Sequence, residues 1–105
     1  MKEVTVQELK AMRDSNQDHQ LIDVREKPEL DIVQIGGEHI PMGDVMNHVD
    51  KIAKDKPVII HCKSGGRSGA VVNLLEKEFG FTNLYNLKGG ILAYANQIDN
   101  SLKKY

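Results

Sequence analysis

Cysteine occurs once in these 105 residues, which excludes an internal disulfide and leaves one thiol that a reducing compartment would keep free for chemistry. Long hydrophobic runs are missing too. Apolar stretches stop at about four residues, too short for a transmembrane helix or a secretory leader, and the chain opens directly with Met1-Lys2-Glu3, so a cytoplasmic protein is the simplest expectation. Neither sign of charge dominates: 14 Lys and Arg stand against 15 Asp and Glu, interleaved with no block of like charge. That balance argues against nucleic acid or an anionic membrane as a partner. His19, His39, His48 and His61 lack compact ligand spacing, and one cysteine cannot complete the usual structural zinc set, so neither a metal nor a cofactor is expected. No repeat, low-complexity segment or linker interrupts the chain, and its 40% apolar content suits one domain over residues 1–105.

What is present alternates between strand and helix. Thr5 followed by Glu8 reads as a capping box, with Val4 and Leu9 as its hydrophobic staple, so a helix is expected from Val6 to about Asp14. Gln20 to Val24 reads as a buried strand, and Pro28 suits the first turn of a short helix to about Val33 that Gly36-Gly37 breaks. His39-Ile40 is a very short strand stopped by Pro41. Val45, Val49 and Ile52 form the stripe of a helix from about Asp44 to Ala53. A strand follows from Pro57 to His61. Val71, Leu74, Leu75 and Phe79 line one face of the clearest helix, which Gly80 ends. Asn83 to Asn86 supplies a last strand, and Ile91, Leu92, Ala95 and Ile98 the apolar side of a closing helix. Alternation with long crossovers predicts an α/β fold, a mostly parallel central sheet of about five strands flanked by helices on both faces.

The lone cysteine lies in His61-Cys62-Lys63-Ser64-Gly65-Gly66-Arg67-Ser68, between an apolar strand and a helix. Ligands of open α/β sheets bind at such strand ends. A single cysteine closing a strand is by itself more often a small buried hydrophobe than a nucleophile. The glycine-rich cationic turn after it reverses that reading. A helix start and nearby cations favour the thiolate, Lys63 and Arg67 are close with no acid between Cys62 and Ser68, and the amides from Ser64 to Ser68 can curl toward the sulfur.

Here the residues resemble the rhodanese-like domain of single-domain sulfurtransferases. The cysteine phosphatases share His-Cys at the start and Arg-Ser at the end, but their loop is one residue longer; a ring as short as Cys62 to Arg67 suits a sulfane sulfur better than a tetrahedral phosphate. The resemblance spans nearly the whole chain, through Leu21-Ile22-Asp23-Val24-Arg25-Glu26, His39-Ile40-Pro41, the cysteine loop, and Leu87-Lys88-Gly89-Gly90-Ile91 with Tyr94. Met42-Gly43-Asp44 and Tyr94 depart from the usual pattern, at positions expected on the pocket rim. The segment from Ile35 to Pro41 is more similar to rhodanese domains fused to ubiquitin-activating-type enzymes that load sulfur onto carrier proteins.

The resemblance implies a thiosulfate sulfurtransferase in which Cys62 is the catalytic nucleophile and carries a persulfide, with Lys63, Ser64, Gly65, Gly66, Arg67 and Ser68 binding substrate. It implies a small-molecule sulfur donor and a thiol or protein acceptor, a sulfur-carrier protein among them. A small cysteine phosphatase, a non-catalytic rhodanese-like binding module and an arsenate-reductase-like enzyme are the alternatives. Asp23 and Arg25 read as scaffold at a strand end, His61 as a local hydrogen-bonding group, Gly89-Gly90 as pocket wall, and Ser68 as a donor either to Cys62 or to the helix start.

Overall fold

Thr5 opens the first helix through the reciprocal bonds its spacing predicts: its hydroxyl accepts the Glu8 N–H at 3.1 Å, and the Glu8 carboxylate accepts the Thr5 N–H at 2.9 Å. The computed structural model describes residues 1–105. Its strands are β1 (Glu3–Val4), β2 (Gln20–Asp23), β3 (Glu38–His39), β4 (Val58–His61) and β5 (Leu84–Leu87). Its α-helices are α1 (Val6–Asp14), α2 (Lys27–Ile32), α3 (Gly66–Phe79) and α4 (Gly90–Gln97). All strand pairs are parallel, in the order β1-β5-β4-β2-β3. This is the α/β class expected.

The fifth strand comes from a segment with no strand signal. Glu3–Val4 pairs with Asn86 and Leu87, and two residues are too few to show a period. Within the sheet, strand alternation sorts side chains to two faces. Ile22, Val58 and Ile60 pack with Val71, Val72 and Leu75 of α3, whereas Leu21 and Ile59 pack with Leu9 of α1 and Ile91 and Tyr94 of α4. All of β4 is buried, as a central parallel strand requires.

Three expectations need correction. The segment from Asp44 to Ala53 is not one α-helix but two 3₁₀ turns, Met42–Asn47 and Val49–Lys51, joined at His48. Gly43, Asp44, Asn47 and Asp50 are weak helix formers, so i→i+3 bonds such as Ile52 N–H to Val49 carbonyl, at 3.1 Å, take over. Val45 and Ile52 remain buried, with Val49 packed against them. On α3, Leu74 and Phe79 are exposed, at 39% and 40%, and the inner face is Ser68, Val71, Val72 and Leu75. After the left-handed Gly80 turn, at φ 70°, Phe81 enters the core beside Leu75 instead. Tyr94 is also no rim residue, since it is buried with α1 and α4.

This topology positions the site. The chain leaves β2 toward β3 with Val33 and Ile35 on one face, and leaves β4 toward β5 through α3 on the other. The carboxyl ends of β2 and β4 therefore flank a topological switch point, where crevices form in such sheets.

Candidate active site

Cys62 follows the last residue of β4 and precedes α3 by three residues, so its side chain faces the start of that helix. It is 1% exposed. The Gly65 N–H donates to Sγ at 3.1 Å, and the Ser68 hydroxyl lies 3.3 Å from the same sulfur. Gly65 makes the curl possible with φ at 107°, a conformation that side chains resist. Burial pushes the Cys62 thiol up, but the Ser68 hydroxyl and the amides of Ser68, Gly65 and Ser64 together hold it below its ordinary value.

Gly89-Gly90 approaches this loop in the way the turn suggested, and Gly90 has a specific reason to be glycine. A Cβ there would lie 2.4 Å from the Lys63 carbonyl oxygen and 2.7 Å from that of Cys62. The close approach lets Ile91 and Leu92 amides donate to the Cys62 and Lys63 carbonyls, at 3.0 and 3.1 Å. The start of α4 thus fastens the first half of the cysteine loop.

Arg67, a cation close to Cys62 in the sequence, has a carboxylate partner from a distant segment. Its guanidinium donates to both carboxylate oxygens of Glu29, each at 2.7 Å. Those bonds are the main cause that lowers the Glu29 carboxyl to about 2, so the pair is fully charged at neutral pH. Glu29 also accepts the Glu26 N–H at 2.9 Å, capping α2, and accepts the Tyr105 hydroxyl at 2.8 Å. The Lys63 ammonium lies 4.5 Å from the centre of the Tyr105 ring. Neither Glu29 nor Tyr105 was singled out in the sequence, and nothing local in it connects residues 29, 67 and 105.

Asp23 and Arg25 are buried and paired with each other, the arrangement that a scaffold role calls for. Arg25 is completely buried and donates through Nε and Nη2 to the Asp23 carboxylate, at 3.0 and 2.8 Å, and through Nη2 to the Val33 carbonyl at 2.7 Å. Its Nη1 donates to the Tyr105 hydroxyl at 2.9 Å. Burial opposes the Asp23 charge, yet the Arg25 bonds hold its carboxyl below the usual value. The expectation for His61 fails: both ring nitrogens are buried without a hydrogen-bond partner, and the nearest Asp23 oxygen is 3.7 Å away. Burial is the chief reason its pKa is lowered, which keeps the ring neutral.

Ser68 meets a second partner that sequence reasoning missed. Asn86 on β5 is 3% exposed; its Oδ1 lies 2.5 Å from the Ser68 hydroxyl and its Nδ2 donates to the Gly65 carbonyl at 3.1 Å. The alternation of Leu84-Tyr85-Asn86-Leu87 does place Asn86 on the inner side with Leu84, the one available signal.

A doubly wound parallel sheet whose central strand ends in a cysteine-centred amide loop defines a class of α/β domains built around one buried sulfur. Within that class the chain belongs to the rhodanese-like domain family, whose profile covers residues 5–97. It is 34% identical to Bacillus subtilis YtwF, provisionally named a sulfurtransferase, over 92% of this chain and 93% of that protein. It is equally, 34%, identical to Mycobacterium tuberculosis MoeZ, named a probable adenylyltransferase/sulfurtransferase, over 97% of this chain but only 26% of MoeZ. Among solved structures, a rhodanese-like domain protein from Staphylococcus aureus superposes with a TM-score of 0.83 at 29% identity, over 100% of this chain and 99% of that one.

Proposed function

We propose that this domain is a sulfurtransferase that carries a sulfane sulfur on Cys62, with thiosulfate as a competent donor. The observation that carries the reading is the Cys62 sulfur at the start of α3, accepting the Gly65 N–H at 3.1 Å with the Ser68 hydroxyl at 3.3 Å. Donors arranged around a sulfur favour the thiolate, the attacking form of cysteine, and stabilise the charge that a terminal sulfur then carries.

In the first step the Cys62 thiolate attacks the outer sulfur of thiosulfate. A new S–S bond forms, the S–S bond of thiosulfate breaks, and sulfite departs with that bonding pair. The persulfide anion left on Cys62 is drawn to the loop amides. In the second step an acceptor thiolate attacks the terminal sulfur, forms its own persulfide, and returns Cys62 as thiolate. No net oxidant is needed, because both steps move one sulfur between nucleophiles.

The acceptor is a small thiol or a protein. The pairing of adenylyl and sulfur transfer in the name of MoeZ supports a protein acceptor, a sulfur carrier with an activated terminus. A reducing compartment such as the cytoplasm suits a cycle that needs Cys62 reduced. Intact-mass spectrometry after mixing with thiosulfate tests the reading: one added sulfur atom on the native protein and none on Cys62→Ser is expected. No added sulfur from thiosulfate or any other sulfane donor would overturn it.

A further inference from the structure

Ser68 carries one hydroxyl proton and faces two acceptors, the Cys62 sulfur at 3.3 Å and the Asn86 Oδ1 at 2.5 Å. The orientation of the Asn86 amide is set by its other end, since Nδ2 donates to the Gly65 carbonyl at 3.1 Å. Oδ1 therefore points at Ser68, and having no proton of its own it can only accept. All three side chains are buried, at 1% for Cys62, 0% for Ser68 and 3% for Asn86, so an acceptor that loses its donor gains little from water.

These constraints make the direction of the bonds depend on the state of the sulfur. With a neutral thiol, Cys62 donates S–H to the Ser68 oxygen, and Ser68 donates to Asn86. With a thiolate, Cys62 has no proton to give, and the Ser68 proton must choose between sulfur and Asn86.

We propose that Asn86 is a positioning residue that competes with Cys62 for the single Ser68 proton and so restrains formation of the attacking thiolate. The same amide holds the Gly65 carbonyl, whose residue supplies the N–H donor to sulfur. Asn86 thus acts twice on Cys62, through the loop backbone and through Ser68, without touching the sulfur. The proposal deepens the sulfurtransferase reading, in which the thiolate does the attacking, but its test involves no sulfur transfer.

The test is a double-mutant cycle on the pH dependence of iodoacetamide alkylation of Cys62. Removing the Ser68 hydroxyl by Ser68→Ala is expected to slow alkylation at pH 6 only modestly in the native background, where Asn86 engages that proton. In an Asn86→Leu background the hydroxyl is free to serve the thiolate, and Ser68→Ala is expected to slow alkylation about threefold or more beyond its native effect. Loosening of Gly65 is common to both proteins that carry Asn86→Leu and cancels. An equal or smaller effect of Ser68→Ala in the Asn86→Leu background overturns the proposal.

A measurement on proteins that retain Asn86 guards against an Asn86→Leu variant that fails to fold. The Asn86 side-chain amide resonances are expected to move with the same pH midpoint as Cys62 alkylation, and to lose most of that movement in Ser68→Ala. Movement that survives Ser68→Ala unchanged, or no movement at all, overturns it. If Cys62 accepts no sulfur from any donor while the cycle is non-additive as described, sulfur transfer fails and the role of Asn86 stands.

Discussion

Arg67 and Glu29 form a two-point ion pair, both N···O distances 2.7 Å, that ties the cysteine loop after β4 to α2 after β2. The pair explains why two cations in the loop do not make two free cations in the site. Lys63 is unpaired by carboxylate and rests against Tyr105, whereas Arg67 brings a negative charge with it.

Glu29→Gln leaves Arg67 with a neutral partner and should therefore improve use of an anionic donor. Arg67→Ala leaves Glu29 without its cation and should impair it. The expected outcome is a KM for thiosulfate lowered about two- to fivefold in the first and raised by at least as much in the second, with kcat changed less. Steady-state sulfur transfer across thiosulfate concentrations checks both, and equal KM values in all three proteins would remove charge from the account.

Acid should weaken the fold in two windows. His61 is buried neutral with its pKa lowered, so the unfolded chain takes up its proton more readily. Its contribution is complete above an unfolded value of about 6.5 and is lost as pH falls below that. Glu29, lowered to about 2 from 4.5, contributes fully above 4.5 and loses its contribution between 4.5 and 2. Urea unfolding from pH 7.5 to 3 is expected to show the upper loss in the native protein and not in His61→Leu. The His61→Leu variant, free of two unpaired buried nitrogens, should be at least as stable as the native chain at pH 7. A native stability unchanged between pH 7 and 5 would count against a buried neutral His61.

Asp23→Ala removes the carboxylate that neutralises a completely buried guanidinium. Breaking one side of such a pair costs about 3–5 kcal/mol, a large part of the stability of a domain this size. Thermal unfolding should show a Tm lowered by many degrees, and lost sulfur transfer should follow lost structure. A stable, folded Asp23→Ala protein without activity would instead assign Asp23 to the chemistry.

Gly90→Ala drives a methyl group into the Lys63 and Cys62 carbonyls at a backbone angle of φ 62°. Displacing that contact shifts the loop that holds the sulfur, so both stability and alkylation of Cys62 at pH 7 should change. Gly43→Ala, where a Cβ meets nothing within 4 Å, should alter neither. Circular dichroism melting with parallel iodoacetamide rates distinguishes the two.

Much of this was legible in the chain. The capping box of Thr5 and Glu8, the buried run of β4, and the glycine turn behind Cys62 are local signals, each readable from neighbours a few residues apart. The segment from Asp44 to Ala53 shows the limit of such reading. Its apolar spacing reports correctly which side chains go inward, but weak helix formers let the backbone satisfy that same stripe with 3₁₀ turns.

By itself the sequence determined the alternating α/β pattern, the position of the lone thiol between strand and helix, and the shortness of its loop. These depend on residue type and spacing along the chain. Tertiary structure alone decided which groups surround that thiol: Glu29 on Arg67, Tyr105 beside Lys63, Gly90 beneath the loop carbonyls, and Asn86 behind Ser68. Those partners lie far apart along the chain, by 18 residues for Ser68–Asn86 and 38 for Arg67–Glu29. Only the parallel crossovers, which bring the carboxyl ends of β2, β4 and β5 to one edge of the sheet, set them side by side.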